Sequence, residues 1–191
     1  MKLRYVLREE DADGKVLGVE KSDEAFGETA EEEIPIVEVV TVRTTWRDRE
    51  KTDLKYYHIL SPYLTNALRS VVKYGSHELE SDIPKFPEPY RLLYLHMDKL
   101  RDFKNQHPEQ HTEEHRTECN KHIDFLLGLL DDKEGRRVRI EQARWKREKP
   151  CATFRNLWML LQPGTFAFRQ EDNELAPYYI CLLYTSPSPR D

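Results

Sequence analysis

The segment Leu157-Trp158-Met159-Leu160-Leu161-Gln162-Pro163-Gly164-Thr165-Phe166-Ala167-Phe168 constrains the fold more than any other part of the chain. Its first five residues are large and apolar, so a short helix there has to dock on other elements. Pro163 and Gly164 stop that helix, because proline lacks the N–H and glycine admits positive φ. Phe166-Ala167-Phe168 then reads as a strand. A helix that breaks into a strand at a Pro-Gly corner points to α+β packing. Trp158 with its leucine neighbours is expected at that packing corner, with a partner-binding groove as the alternative.

The rest of the chain supports this class. Lys2 to Leu7 alternates polar and apolar residues, which is strand periodicity. Asp11-Ala12-Asp13-Gly14 supplies turn chemistry, and Val16-Leu17-Gly18-Val19 returns as the second arm of a hairpin. Ser22 to Glu33 is acidic and poor in large apolar residues, and reads as a linker. Ile34 to Thr45 is rich in β-branched residues and predicts another strand. Helical signals follow. Ser61-Pro62 is a helix start, with Leu64, Leu68, Val71 and Val72 at helical spacing and Gly75 as the stop. Pro84, Pro87 and Pro89 make Ser76 to Pro89 an extended loop. Further helices are expected from Tyr90 through Phe103, from Thr112 to Asp132, over Arg136 to Arg147, and from Phe154 to Leu161.

Charge and cysteines exclude several classes. The 191 residues carry a net charge of −5, which argues against a general nucleic-acid binder. Local polarity is stronger: Glu9 to Glu33 is acidic, whereas Arg136 to Lys149 holds seven basic residues against two acidic ones. Cys119, Cys151 and Cys181 are widely spaced and odd in number, so a disulfide framework is not expected and a reducing, intracellular compartment, cytoplasmic or nuclear, is. No 18-residue apolar run or signal-peptide core is present, so no membrane association is expected.

Four motifs in order carry a family resemblance. They are Ile59-Leu60-Ser61-Pro62-Tyr63-Leu64, Pro89-Tyr90-Arg91-Leu92-Leu93, His122-Ile123 with Leu126-Leu127, and Leu157-Trp158 through Pro163-Gly164. Together they resemble the N-terminal region that precedes the ATPase core in fungal AAA-type ATPases. Thr165 stands where that family commonly has an acidic residue. The resemblance implies a non-catalytic region that selects a protein substrate or adaptor and positions it for the core. It marks Pro62, Pro89, Tyr90, His122, Leu157, Trp158, Pro163 and Gly164 as structural motif residues. Cys181 to Asp191 departs abruptly from what precedes it and resembles a translated sequencing-adapter tail, so the ATPase core is expected to be missing from this sequence. ATP, magnesium and any oligomerisation are then expected only through that core. The competing view of the tail is a native Ser-Pro segment open to phosphorylation.

None of the seven glycines begins a Gly-x-x-x-x-Gly-Lys-Ser/Thr phosphate cradle, so the chain is not expected to hydrolyse ATP or to hold a cofactor. His107, His111, His115, Cys119 and His122 form the sharpest constellation. His111-Thr112-Glu113-Glu114-His115 fits the His-x-x-Glu-His pattern of inverted zinc peptidases, in which two histidines hold zinc and the glutamate polarises its water. The polar flanks and the helix start near Pro108 favour solvated or half-buried histidines over a metal site. His111, His115, Cys119 and His122 stand as the candidate ligands of an alternative, metal-binding reading. A third reading puts nucleic acid or an acidic partner on Arg136 to Lys149. Cys151, beside the basic run, lacks a neighbouring histidine to activate it.

The expected organisation is a strand and acidic-linker section over 1–45, a mainly helical domain over 46–180 of four or five helices closed by a short strand, and a non-native tail over 181–191. The expected partners are a protein substrate or adaptor and the missing ATPase core.

Overall fold

Strand periodicity at the start of the chain produces a hairpin whose turn is tied by one side chain. β1 (Leu3–Glu10) pairs antiparallel with β2 (Val16–Asp23). Between them the Asp11 carboxylate accepts the N–H groups of Asp13 and Lys15 at 3.0 and 2.8 Å, and Gly14 takes φ +79°. An aspartate that bonds the backbone ahead of it and a glycine at positive φ are what such a turn requires. The structure is a computed structural model that describes residues 2–11, 13–23, 35–45, 51–72, 77–161, 164–171 and 174–181. The expected Gly75 helix stop, the Pro163 half of the Pro-Gly corner, positions 24–33 of the acidic linker and positions 182–191 of the tail lie outside these residues.

The chain divides into two compact units, Met1–Leu130 and Asp131–Asp191. In the first, β3 (Val37–Thr45) runs parallel to β1, β4 (Lys51–Ile59) antiparallel to β3, and β5 (Lys85–Pro87) antiparallel to β4. The sheet order is β2-β1-β3-β4-β5. Its register stacks Leu3 beside Val37 beside Ile59, and Tyr5 beside Val39 beside Tyr57 beside Phe86. Because side chains alternate across a strand, these residues share one face. The sheet with its helices makes an α+β fold, the class the sequence predicts.

That face joins the helices in one core. α1 (Pro62–Val71) contributes Leu64, Ala67 and Leu68; α2 (Arg91–Leu95) contributes Leu93; α3 (Met97–Phe103) contributes Leu100. The amphipathic α4 (Glu113–Leu130) adds Cys119, Ile123, Leu126, Leu129 and Leu130 at helical spacing. Full burial of each aliphatic side chain contributes about 1.5–3 kcal/mol. Ser61 caps α1 as the sequence predicts, its hydroxyl accepting Leu64 N–H at 3.1 Å with Pro62 in the first turn.

Three departures from the sequence reading have local causes. β4 follows β3 directly where no strand was expected, and the two pair along their full length across position 45. β5 and a 3₁₀ turn (His77–Leu79) lie within the expected loop of Ser76 to Pro89. The single helix expected from Tyr90 to Phe103 is broken at His96. There the imidazole Nδ1 takes the Leu92 carbonyl at 2.9 Å, and the His96 N–H turns to Leu93. A side chain has replaced the backbone donor that would have carried the helix on.

Tyr90, a motif residue, is buried and adopts φ 58°, ψ 38° just before α2, after a cis Glu88–Pro89 peptide. The left-handed region is uncommon for a bulky residue. Its ring stacks on Tyr57 with centroids 3.8 Å apart, and this packing fixes the backbone in place.

The second unit opens with a π-helical turn (Asp131–Gly135) and α5 (Arg136–Trp145). A Cβ at Gly135 would crowd the Asp131 carboxylate, which pairs with Arg139 at 2.7 Å and would have to shift. A 3₁₀ helix (Phe154–Met159) stands where a short helix was expected, with Trp158 buried. Gly164 takes φ +88°, and β6 (Phe166–Glu171) follows as the sequence predicts. β6 does not stand alone: β7 (Glu174–Tyr179) returns beside it as an antiparallel hairpin. Among the described residues no helix is long and apolar enough to cross a membrane.

Candidate functional site

The histidine constellation divides into two groups with different surroundings. His107, His111 and His115 form a row, with ring centroids 5.5 and 4.2 Å apart in sequence order. Phe103 meets the edge of His107 at one end, and Tyr63 meets His115 at the other. His107 Nε2 lies 2.8 Å from Asn120 Oδ1, a distance at which Nε2–H donates to the amide oxygen. This leaves His107 Nδ1 as the acceptor facing His111 Nδ1 at 3.3 Å. His115, also half-buried, lies between His111 and Tyr63, its centroid 4.2 Å from the first and 4.9 Å from the second. Glu114 is exposed.

His122 and Cys119 belong to the fold. His122 Nδ1 lies 2.6 Å from Ser61 Oγ, so the α1 cap hydroxyl accepts Leu64 N–H and donates to the imidazole. Tyr63 packs edge-on against His122 as well as His115. The Cys119 thiol is buried and points at the Tyr63 carbonyl at 3.8 Å; burial raises its pKa and disfavours the thiolate a metal needs. Among the described residues no three His, Cys, Asp or Glu groups are placed to hold a metal ion. The row from Phe103 to Ser61 is a seam of rings joining α1, α3 and α4.

The half-buried histidines of the first unit give it a pH signature. Burial lowers the pKa of His122, and burial likewise lowers His96 and His58, the latter also repelled by Lys85 and Arg8. A histidine depressed in the folded state takes its proton more readily when unfolded, so stability is full above the ordinary value of 6.5 and is lost as pH falls below it. Thermal melts of the first unit are expected to shift downward between pH 7 and pH 5, and H122Q to flatten part of that slope. A melting temperature unchanged across this range contradicts the assignment.

The hairpin presents a different kind of surface. The register pairs Phe166 with Tyr179, Phe168 with Pro177 and Gln170 with Leu175, which places all six on one face. Five are apolar or aromatic. Phe166, Phe168, Leu175 and Tyr179 are 67, 66, 69 and 57% exposed, although Phe166 and Tyr179 touch edge to face at 5.4 Å. The opposite face is polar at its tip: Tyr178 donates to Glu171 at 2.7 Å, and Arg169 pairs with Glu171 at 3.6 Å. The apolar side amounts to roughly 400 Å² of exposed surface, the size of the largest apolar patch on an ordinary monomer, which is often functional. A two-stranded hairpin is marginal alone in water.

Sequence reasoning identified Phe166 and Phe168 as a strand but missed the surface they make, because the pairing strand was not foreseen. The available signal was Glu174-Leu175-Ala176-Pro177-Tyr178-Tyr179, in which Pro177 obscured the strand pattern. Pro177 sits at a non-hydrogen-bonded position of the ladder, where no N–H is needed. Of the motif residues, Pro62, Pro89 and Tyr90 set helix starts, while His122, Leu157 and Trp158 pack. The chain matches no known protein-family model, no curated protein and no solved structure.

Proposed function

We propose that this chain is the non-catalytic, protein-recognition region of a fungal AAA-type ATPase, and that the apolar face of the β6–β7 hairpin is its protein contact. The uncovered row Phe166, Phe168, Leu175 and Tyr179 carries the reading. The ordered motifs from Ser61-Pro62 to the Gly164 corner supply the family, and the hairpin follows the last of them. A face of this kind binds another protein surface by hydrophobic burial: the ATPase core encoded further along, or the substrate or adaptor delivered to it. ATP and magnesium belong to the core in this account, since the chain has no Gly-x-x-x-x-Gly-Lys cradle.

Two measurements separate the parts of this reading. Calorimetric titration of the chain with magnesium-ATP is expected to give no saturable heat; saturable binding contradicts a non-catalytic region. The native transcript read past Ile180 is expected to encode a Walker-type loop, and an immediate stop codon removes the ATPase assignment.

A further inference from the structure

α5 lines a cleft in the second unit whose chemistry the hairpin does not share. Arg136, Ile140 and Arg144 recur at four-residue spacing, so they form one stripe about 12 Å long, with Arg137 beside it. Together with Glu141, Thr153 and Asn156 they border a cleft of about 480 Å³, a size typical of ligand sites.

Glu141 braces this cleft. Its carboxylate is buried and accepts Thr153 N–H at 2.6 Å, the Thr153 hydroxyl at 3.1 Å and the Asn156 amide at 3.4 Å, with Arg144 at 3.7 Å. Among the described residues that border the cleft Glu141 is the one acid beside Arg136, Arg137 and Arg144, and its acceptor positions are already occupied. Asn156 is 6% exposed, and its Oδ1 has no hydrogen-bond partner among the described residues. Turning the amide over would set that oxygen against the Glu141 carboxylate, so Nδ2 faces Glu141 and Oδ1 remains an open acceptor. Burying an unmatched acceptor is costly, so the position calls for a donor.

We infer that this cleft binds an acidic peptide segment, with arginines on its carboxylates and Asn156 Oδ1 accepting a main-chain N–H. Three features select a peptide over a nucleic-acid strand. A phosphodiester backbone offers no donor to Asn156, whereas every non-proline peptide unit does. Ile140, 49% exposed between Arg136 and Arg144, provides an apolar contact that a peptide side chain can use. The chain's net charge of −5 also opposes a polyanion more than a short acidic segment. Guanidinium groups suit carboxylates through their paired donors.

The test uses a blocked tetrapeptide, acetyl-Glu-Leu-Glu-Glu-amide, titrated into the full chain by calorimetry at low salt. Binding is expected to weaken at least tenfold in R136Q/R137Q and at least threefold when the peptide's central N–H groups are methylated. Protection of the Thr153 amide from hydrogen exchange verifies that the variant keeps its fold. R169Q, on the hairpin, is expected to bind as the parent does. Affinity unchanged by R136Q/R137Q overturns the inference, as does absence of binding at millimolar peptide. Tighter binding of a single-stranded oligonucleotide than of the peptide overturns it in favour of nucleic acid.

Discussion

Glu141→Ala is expected to destabilise the second unit by about 3 kcal/mol. The side chain is 3% exposed and holds the start of the 3₁₀ helix through the N–H and hydroxyl of Thr153, the residue that caps it. Alanine removes the acceptor and leaves those half-buried donors without their partner. It also releases Arg144 from its ion pair and Asn156 from its amide bond. Leaving groups unmatched costs more than the hydrogen bonds contributed when made. Urea unfolding followed by hydrogen exchange at the Thr153 amide reads the effect directly, because that proton loses its acceptor in the variant. E141Q, which can still accept from Thr153, is expected to cost less. A change below 0.5 kcal/mol in E141A contradicts the brace. The same geometry sets a pH dependence. Burial raises the Glu141 carboxyl, but hydrogen bonds from Thr153 and Asn156 and the charge of Arg144 outweigh it and hold its pKa below the ordinary 4.5. A depressed carboxylate stabilises the fold above that value and stops doing so as pH falls through its own lower pKa.

The second large effect is on recognition. Exchanging Phe166 and Phe168 for serine removes two of the four large side chains of the hairpin face, each about two-thirds exposed. Because they are exposed, their loss leaves little folding energy behind. Their contribution appears on binding, where covering an aromatic side chain is worth about 1.5–3 kcal/mol. Two such losses correspond to at least a tenfold fall in affinity, with the fold unchanged. Arg169→Ala, on the opposite face of the same strand, is expected to be silent.

What the sequence made legible follows the strength of local signals. Ser61-Pro62 announced α1 because a capping hydroxyl and a proline act within one turn of the chain. The α4 stripe was readable because Ile123, Leu126 and Leu130 repeat at the helical period over many residues. β4 was hidden: Lys51 to Ile59 alternates Lys55, Tyr57 and Ile59 against Leu54, Tyr56 and His58, and neither set is plainly apolar. Only pairing with β3 makes Tyr57 and Ile59 core. The break at His96 depends on a side chain reaching the Leu92 carbonyl, a choice that periodicity cannot express. His107, His111 and His115 form a row although only His115 lies on a helix, and their spacing could not reveal that Tyr63 and Ser61, some fifty residues earlier, take up the neighbouring imidazoles. Glu141 gave no signal at all, since an acidic residue in a basic helix reads as surface until Thr153 and Asn156 close over it.

The account rests on the hairpin face being a protein contact, and site-specific cross-linking tests that most directly. A photoreactive side chain is placed at Phe168 or at Arg169, and the chain is presented with reduced, carboxymethylated lactalbumin as an unfolded apolar polypeptide, and separately with the ATPase core proposed to follow this region. Saturable cross-linking to at least one of them from position 168, absent from position 169 and reduced tenfold by F166S, is the expected result. Equal labelling from both faces, or none from position 168 with either protein, contradicts it.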